Sequence, residues 1–250
     1  MELVKEYFHG EGSISVSGGN MYFYEVSSIK ALVKVREHFE LYPLQSTKYV
    51  YFKLWCQAMD IIEKREHLTD IGFKDILAIK SVFKRGLSLA LCEAYPDIIP
   101  RTKPVFVPSI IKLDHNWIAG FTQSDGTFGL NPTVSPRMRL GSTITPQFRI
   151  TQHERDLILL NRIIESMGCG YIVPPYSDRD RCNVNVGGIS DLVNIVVPLF
   201  EKHPVYGAKR SDFLDFCKGM CIFKDGKHLT PEGLKALKDI AHGMNTGRKF

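Results

Sequence analysis

The sequence predicts a protein of the α/β (α+β) class, made by duplication of one unit whose first copy is cut short. Three observations carry this. First, residues recur at one spacing. Phe39-Glu40, Pro43 and Lys48 reappear as Phe200-Glu201, Pro204 and Lys209, and Cys56 reappears as Cys217. His67-Leu68-Thr69 returns as His228-Leu229-Thr230, Gly72 as Gly233, Ile79 as Ile240 and Gly86 as Gly247. Every pair is 161 residues apart (200 − 39), and chance does not hold one offset through so many positions. Second, polar and apolar residues alternate along 137–151, the two-residue period of a half-buried strand. Third, Trp117–Ser124 carries small residues (Ala119, Gly120, Ser124) on adjacent helical turns, a spacing that permits close approach of a second helix.

Composition bounds the answer. A chain of 250 residues holds one large or two small domains, and 44% hydrophobic with 24% charged content is ordinary for a soluble globular protein. No apolar run approaches membrane-spanning length, so no membrane partner is expected. A net charge of +5 suits a nucleic-acid partner without requiring one. The six cysteines show no CxxC pairing and read as reduced, mostly buried thiols of an intracellular protein. Cys217 and Cys221 lie one turn apart, but no His or Cys at zinc spacing accompanies them. Met1–Tyr7 resembles neither a signal nor a transit peptide.

The elements follow in order. Residues 2–9 read as the end of an amphipathic helix, with Leu3, Val4, Tyr7 and Phe8 on one side. Gly10, Gly12, Gly18 and Gly19 bracket strands at Ser13–Ser17 and Met21–Val26, a hairpin. Ser27-Ser28 caps a helix at Ile29–Phe39, Pro43 interrupts, and Lys48–Glu63 continues as helix. Thr69 caps a further helix reaching Phe83. Residues 1–95 are therefore read as the first unit, the proline-bearing residues 96–112 as a linker and residues 113–250 as the second unit. In the second unit Asp114 or Asn116 caps the helix through Ser124, Asp125 falls at its C-terminus, and Gly126 suits a left-handed stop. A carboxylate beside the negative end of a helix is unfavourable unless a cation sits there, and magnesium takes carboxylate and carbonyl oxygens. The same stretch also reads as a buried helix that simply ends in an Asp.

Strands are expected at Thr127–Thr133 and Arg137–Thr151. In the latter, Arg137, Arg139, Thr143, Thr145, Gln147, Arg149 and Thr151 share one parity, and Met138, Leu140, Ile144, Phe148 and Ile150 the other. Pro146 suggests an edge position or bulge. Arg179, Arg181, Asn183 and Asn185 form a matching polar row. Such a face has the donors and acceptors to read base edges and hold phosphates; a solvated sheet face is the plainer alternative. The first copy differs, since Met21, Phe23 and Glu25 align with Arg181, Asn183 and Asn185. Phe23 suits stacking on an unpaired base, and the face equally suits a protein surface.

Trp117-Ile118-Ala119-Gly120-Phe121-Thr122-Gln123-Ser124-Asp125-Gly126-Thr127-Phe128 resembles the signature of LAGLIDADG homing endonucleases. The resemblance implies two αββαββα repeats related by a pseudo-two-fold axis with concave antiparallel sheets, the two motif helices meeting through positions such as Trp117, Ala119, Gly120 and Ser124. Between Leu113 and Gly170 the second copy has 57 residues (170 − 113), whereas the first has 11 before Gly12. The first motif helix and first two strands thus have no counterpart. By resemblance, Asp125 is the metal-binding acid for Mg2+ or a similar divalent ion, Gln152 lies near the scissile phosphate, and Lys209 and its repeat-mate Lys48 fall where a basic residue approaches the active site. Both lysines also read as surface residues. The implied activity is site-specific, metal-dependent double-strand DNA cleavage, in a split form needing a second polypeptide for the missing motif. The rival implication is a cleavage-inactive protein holding structured RNA, as a maturase or as part of an organelle ribonucleoprotein. A mitochondrial home is implied by resemblance alone.

Overall fold

The structure is a computed structural model describing residues 1–250 except 19–20, 109–110, 176–179 and 249–250. Gly19 of the expected turn and Arg179 of the expected polar row lie outside the described residues. The fold is α+β, and the chain forms two compact units, Met1–Pro108 and Ser109–Phe250.

The first unit contains α1 (Glu2–Tyr7), the antiparallel hairpin β1 (Ser13–Ser17) and β2 (Met21–Glu25), α2 (Ile29–Leu41), α3 (Lys48–Glu63) and α4 (Asp70–Ser81). The short α5 (Leu89–Ala94) follows, capped by Ser88, which accepts the Leu91 N–H. Ser28 caps α2 by accepting the Ala31 N–H at 3.2 Å, and Thr69 caps α4 by accepting the Gly72 N–H at 3.1 Å. Leu54, Ile61 and Ile79 are the centre of this unit's core.

The second unit adds α6 (His115–Asp125), β3 (Gly126–Val134), β4 (Ser142–His153), α7 (Leu157–Met167), β5 (Tyr171–Val173), β6 (Arg181–Val186), α8 (Ile189–Asp191), a π-helical turn (Leu192–Val196), α9 (Val197–Lys202), α10 (Gly207–Lys224) and α11 (Pro231–His242). Its sheet has the order β3-β4-β6-β5, antiparallel throughout. From α7 onward the element order repeats that of the first unit from α1, down to the short 3-10 turns Glu66–Leu68 and Lys227–Leu229. Thr230 caps α11 through Gly233 as Thr69 caps α4 through Gly72. A Cβ at Gly72 or Gly233 would lie about 2 Å from the carbonyl oxygen of Glu66 or Lys227, so close approach holds glycine in both copies.

One face of this sheet carries Phe128, Leu130, Ile144, Phe148, Ile150, Cys182, Val184 and Val186, all buried. They pack against the helices through an aromatic cluster. Phe128 lies 5.3 Å from Phe148, 5.1 Å from Phe200 and 5.2 Å from Phe213, ring centre to ring centre. Burying each such ring contributes about 1.5–3 kcal/mol. Pro146 pairs with Leu130 of β3, while the β6 ladder begins only at Phe148. The proline thus occupies a stretch of β4 with one neighbour, where a missing N–H is tolerated.

Two departures from expectation matter. β4 starts at Ser142, not at 137. Residues 136–140 form a turn closed by Ser135 N–H to Gly141 O at 3.0 Å and Gly141 N–H to Met138 O at 2.8 Å, with Gly141 at φ +67°. Gly126 is extended (φ −91°, ψ 156°) and not left-handed, because α6 runs directly into β3. Its lack of a side chain is needed for proximity: a Cβ would sit 2.4 Å from Thr122 Cγ2 and 2.7 Å from Thr122 O.

Phe200→Ala is expected to lower the stability of the second unit by about 3–5 kcal/mol in urea denaturation, the cost of a core ring plus its cavity. Gly126→Ala is expected to cost about 1–3 kcal/mol, since one of the clashing atoms is backbone; an unchanged midpoint would refute the account of that glycine.

Candidate nucleic-acid interface and catalytic centre

α6 places the acid. Asp114 caps its start, accepting the Asn116 N–H at 2.7 Å, and Ile118, Ala119 and Thr122 face the core. Trp117 stacks on Phe121 at 5.0 Å and leans on the core margin. Ala119, expected at a helix–helix interface, is instead 5% exposed and belongs to the unit's own core. Its place one turn from Thr122 points it at the sheet. Gly120 and Ser124 are exposed, and nothing lies within 4 Å of where a Gly120 side chain would start.

Asp125 ends α6 with its carboxylate half-buried. Ser124 Oγ donates to Asp125 Oδ2 at 3.1 Å, and Gln152 Nε2 lies 3.5 Å from the same oxygen. Gln152 is oriented by the backbone, because its Oε1 accepts the His153 N–H at 3.0 Å. His153 Nδ1 in turn accepts the Arg155 N–H at 3.2 Å and so caps the following turn. Lys209, near the start of α10, donates its Nζ to the Gly126 carbonyl. Burial pushes its ammonium pKa below the usual lysine range, against the opposing pull of Asp212 and Asp125. Asp125, Gln152 and Lys209 therefore meet at one point. Lys48 is exposed at the first residue of α3, in the other unit.

Among the described residues no three His, Cys, Asp or Glu side chains gather to form a metal cluster. The donors at the α6 end are one carboxylate and helix-terminal carbonyls, all oxygen. That set fits half of a magnesium site, since this ion is commonly held by one or two carboxylates with waters and phosphate oxygens completing the shell.

The polar face is read from the register. Thr127 pairs with Arg149, Asn131 with Thr145 and Thr133 with Thr143; Arg149 pairs with Asn185, Thr151 with Asn183 and His153 with Arg181; Tyr171 pairs with Asn185. The sequence-predicted Thr143, Thr145, Gln147, Arg149, Arg181, Asn183 and Asn185 thus share one face. Asn131, Thr133 and Tyr171 join them, and were missed because their strands are placed on this face only by pairing. Arg137 and Arg139 do not join them: both lie in the β3–β4 turn, where Arg139 donates to Leu229 O. Asn185 is on the face but 6% exposed, its amide spent on neighbours. A cleft of about 750 Å³ opens on this face, lined by Arg149, Thr151, His153, Arg181 and Asn183, with Asp180 at its margin. The two arginines give it positive charge, which Asp180 in the same lining partly offsets.

Known proteins match this arrangement. The LAGLIDADG endonuclease family model matches residues 1–59 and 118–220. A probable intron-encoded endonuclease 3 of Neurospora crassa is 33% identical over 94% of this chain, which spans 44% of that relative. The chain covers about half the length of the curated relatives it matches first. Among solved structures, the LAGLIDADG homing endonuclease I-SmaMI bound to cleaved DNA superposes with a TM-score of 0.94 at 33% identity, over 99% of this chain and 82% of that one. I-GzeII, in complex with its DNA target, gives a TM-score of 0.90 at 28% identity over 99% of this chain and 84% of that one. With its motif helix, its sheet face and its duplicated elements all accounted for, this chain belongs to the LAGLIDADG endonuclease family.

Proposed function

We propose that the protein takes part in site-specific, divalent-metal-dependent cleavage of both strands of DNA, with Asp125 as one of two metal-holding acids. The observation that carries this reading is the meeting of Asp125, Gln152 and Lys209 at the end of α6, beside a sheet face rich in Arg, Asn, Gln and Thr. Solved structures of similar proteins include ones described as bound to DNA, one of them in the presence of calcium ions. A bound magnesium ion would supply charge neutralisation at the phosphate and a more acidic water. The chain's own part is to hold that ion through Asp125, to orient a water through Gln152, and to place Lys209 near the phosphate charge. Arg149 and Arg181, with Thr143, Thr145 and Asn183, bind the flanking duplex.

We infer a second motif helix that packs on the open side of α6 at Gly120 and Ser124, carried either by a separate polypeptide or by a longer form of this one. A mitochondrial setting is in keeping with the relatives, one of which is described as a mitochondrial protein of Saccharomyces cerevisiae. The rival reading is a cleavage-inactive protein that holds structured RNA. It is favoured by one observation: β2 exposes Met21 and Phe23 where the second unit has Arg181 and Asn183.

Two expectations follow. With the missing motif supplied, Asp125→Asn should slow cleavage by at least about a hundredfold, measured by nicking and linearisation of a plasmid target. Unchanged cleavage would remove Asp125 from the chemistry, and magnesium-independent RNA binding with no DNA cut under any complementation would favour the rival. Arg181→Ala should flatten the dependence of log K on log salt by about 0.9 if its guanidinium meets a phosphate.

A further inference from the structure

Arg149, Asn185 and Tyr171 stand on one rung across β4, β6 and β5, each the register partner of the next. Gln147 sits two residues before Arg149 on the same face. Arginine has donors only. The Gln147 atom 2.7 Å from Arg149 Nη2 is therefore the carbonyl Oε1. That choice turns Gln147 Nε2 toward Asn185, whose Oδ1 accepts it. Asn185 Nδ2 is then left to donate to the Tyr171 phenol oxygen at 2.7 Å. With that oxygen accepting, the phenol's own proton points away from the chain of bonds. Tyr171 is 57% exposed, so the proton faces the open side of the sheet. Asn131 Nδ2 adds a second donor to Gln147 Oε1 at 3.3 Å. A Gln that reads adenine needs its amide oxygen and nitrogen both free; here both are engaged.

We propose that Gln147 and Asn185 position rather than read. They form a one-way relay that holds Arg149 and the Tyr171 hydroxyl as two donor heads about 10 Å apart, two strand spacings. Arg149 meets the O6 and N7 acceptors of a guanine edge, and Tyr171 meets a second acceptor on the same duplex. The proposal rests on the DNA-binding reading above and changes its content at Gln147 and Asn185. Tyr171 contributes to specificity although it is two strands from Arg149, because removing its acceptor oxygen frees Asn185, then Gln147, then the guanidinium.

The test is selection from a random-sequence DNA duplex library by the unmodified chain and by Arg149→Ala, Tyr171→Phe and Asn185→Val. Thermal melting of each variant confirms that it folds. The unmodified chain should enrich a sequence with a strong preference for guanine at one pair, a preference that Arg149→Ala erases. Tyr171→Phe and Asn185→Val should each reduce that preference about tenfold at the same pair. A general loss of folding would lower enrichment at all positions together, which the relay does not predict. Retention of the full preference by either folded variant overturns the proposal. If the unmodified chain enriches no sequence at all, the nucleic-acid reading fails and takes the relay with it, an outcome distinct from intact selection with unmoved variants.

Discussion

Much of this site depends on the passage from α6 to β3 without an intervening loop. Asp125 is the last helical residue and Gly126 the first of the strand, so the carboxylate cannot move unless helix or sheet moves with it. Both are held firmly. Thr122 closes on Gly126 from the helix side, and Phe128, two residues along the strand, sits wholly buried among the rings of Phe148, Phe200, Phe213 and Phe216. A side chain supported by packed secondary structure keeps its geometry far better than one on a loop. Lys209 ties a third element to the same point, since α10 reaches the Gly126 carbonyl through its ammonium.

The sheet face shows the same economy of motion. Thr151 donates to Asn183 Oδ1 at 2.6 Å, and the Arg149 guanidinium is anchored before any ligand arrives. Side chains ordered in advance lose less conformational freedom on binding, which favours specificity over adaptability. The two units then diverge in chemistry while retaining the same frame. Helix caps, close-packed glycines and 3-10 turns recur in both. Where Gly226 takes a left-handed conformation before the second 3-10 turn, Arg65 takes it before the first (φ +61°), a strained choice for a residue with a side chain. The frame tolerates that substitution, while the strand faces changed from Arg and Asn to Met and Phe.

A good part of this was readable before folding, because it is local. Ser28, Thr69 and Asp114 announce their helices through hydrogen bonds that span only two or three residues. The repeat spacing revealed the duplication. Alternation from Thr143 to Thr151 separated core from surface correctly, and the signature at Trp117–Phe128 pointed to Asp125. Extending that alternation back to Arg137 and Arg139 was misleading, because Gly141 breaks the strand with a positive φ that period-two patterning cannot register.

What folding alone decided are relations between distant segments. Asn131 and Tyr171 reached the polar face through strand pairing, and no spacing within β3 or β5 indicates which parity will face the same way as Arg149. Asn185 looked like a reader of bases and became a buried link, because Tyr171 and Gln147 close over it from both sides. Ala119 looked like an interface residue and became core. The amino-acid order by itself determined the elements, their duplication and the acid at the helix end, since those follow from nearest-neighbour sterics and hydrogen bonding. The tertiary structure decided which polar groups remain free to meet a ligand, since a donor is free or engaged according to partners that lie tens of residues away in the chain.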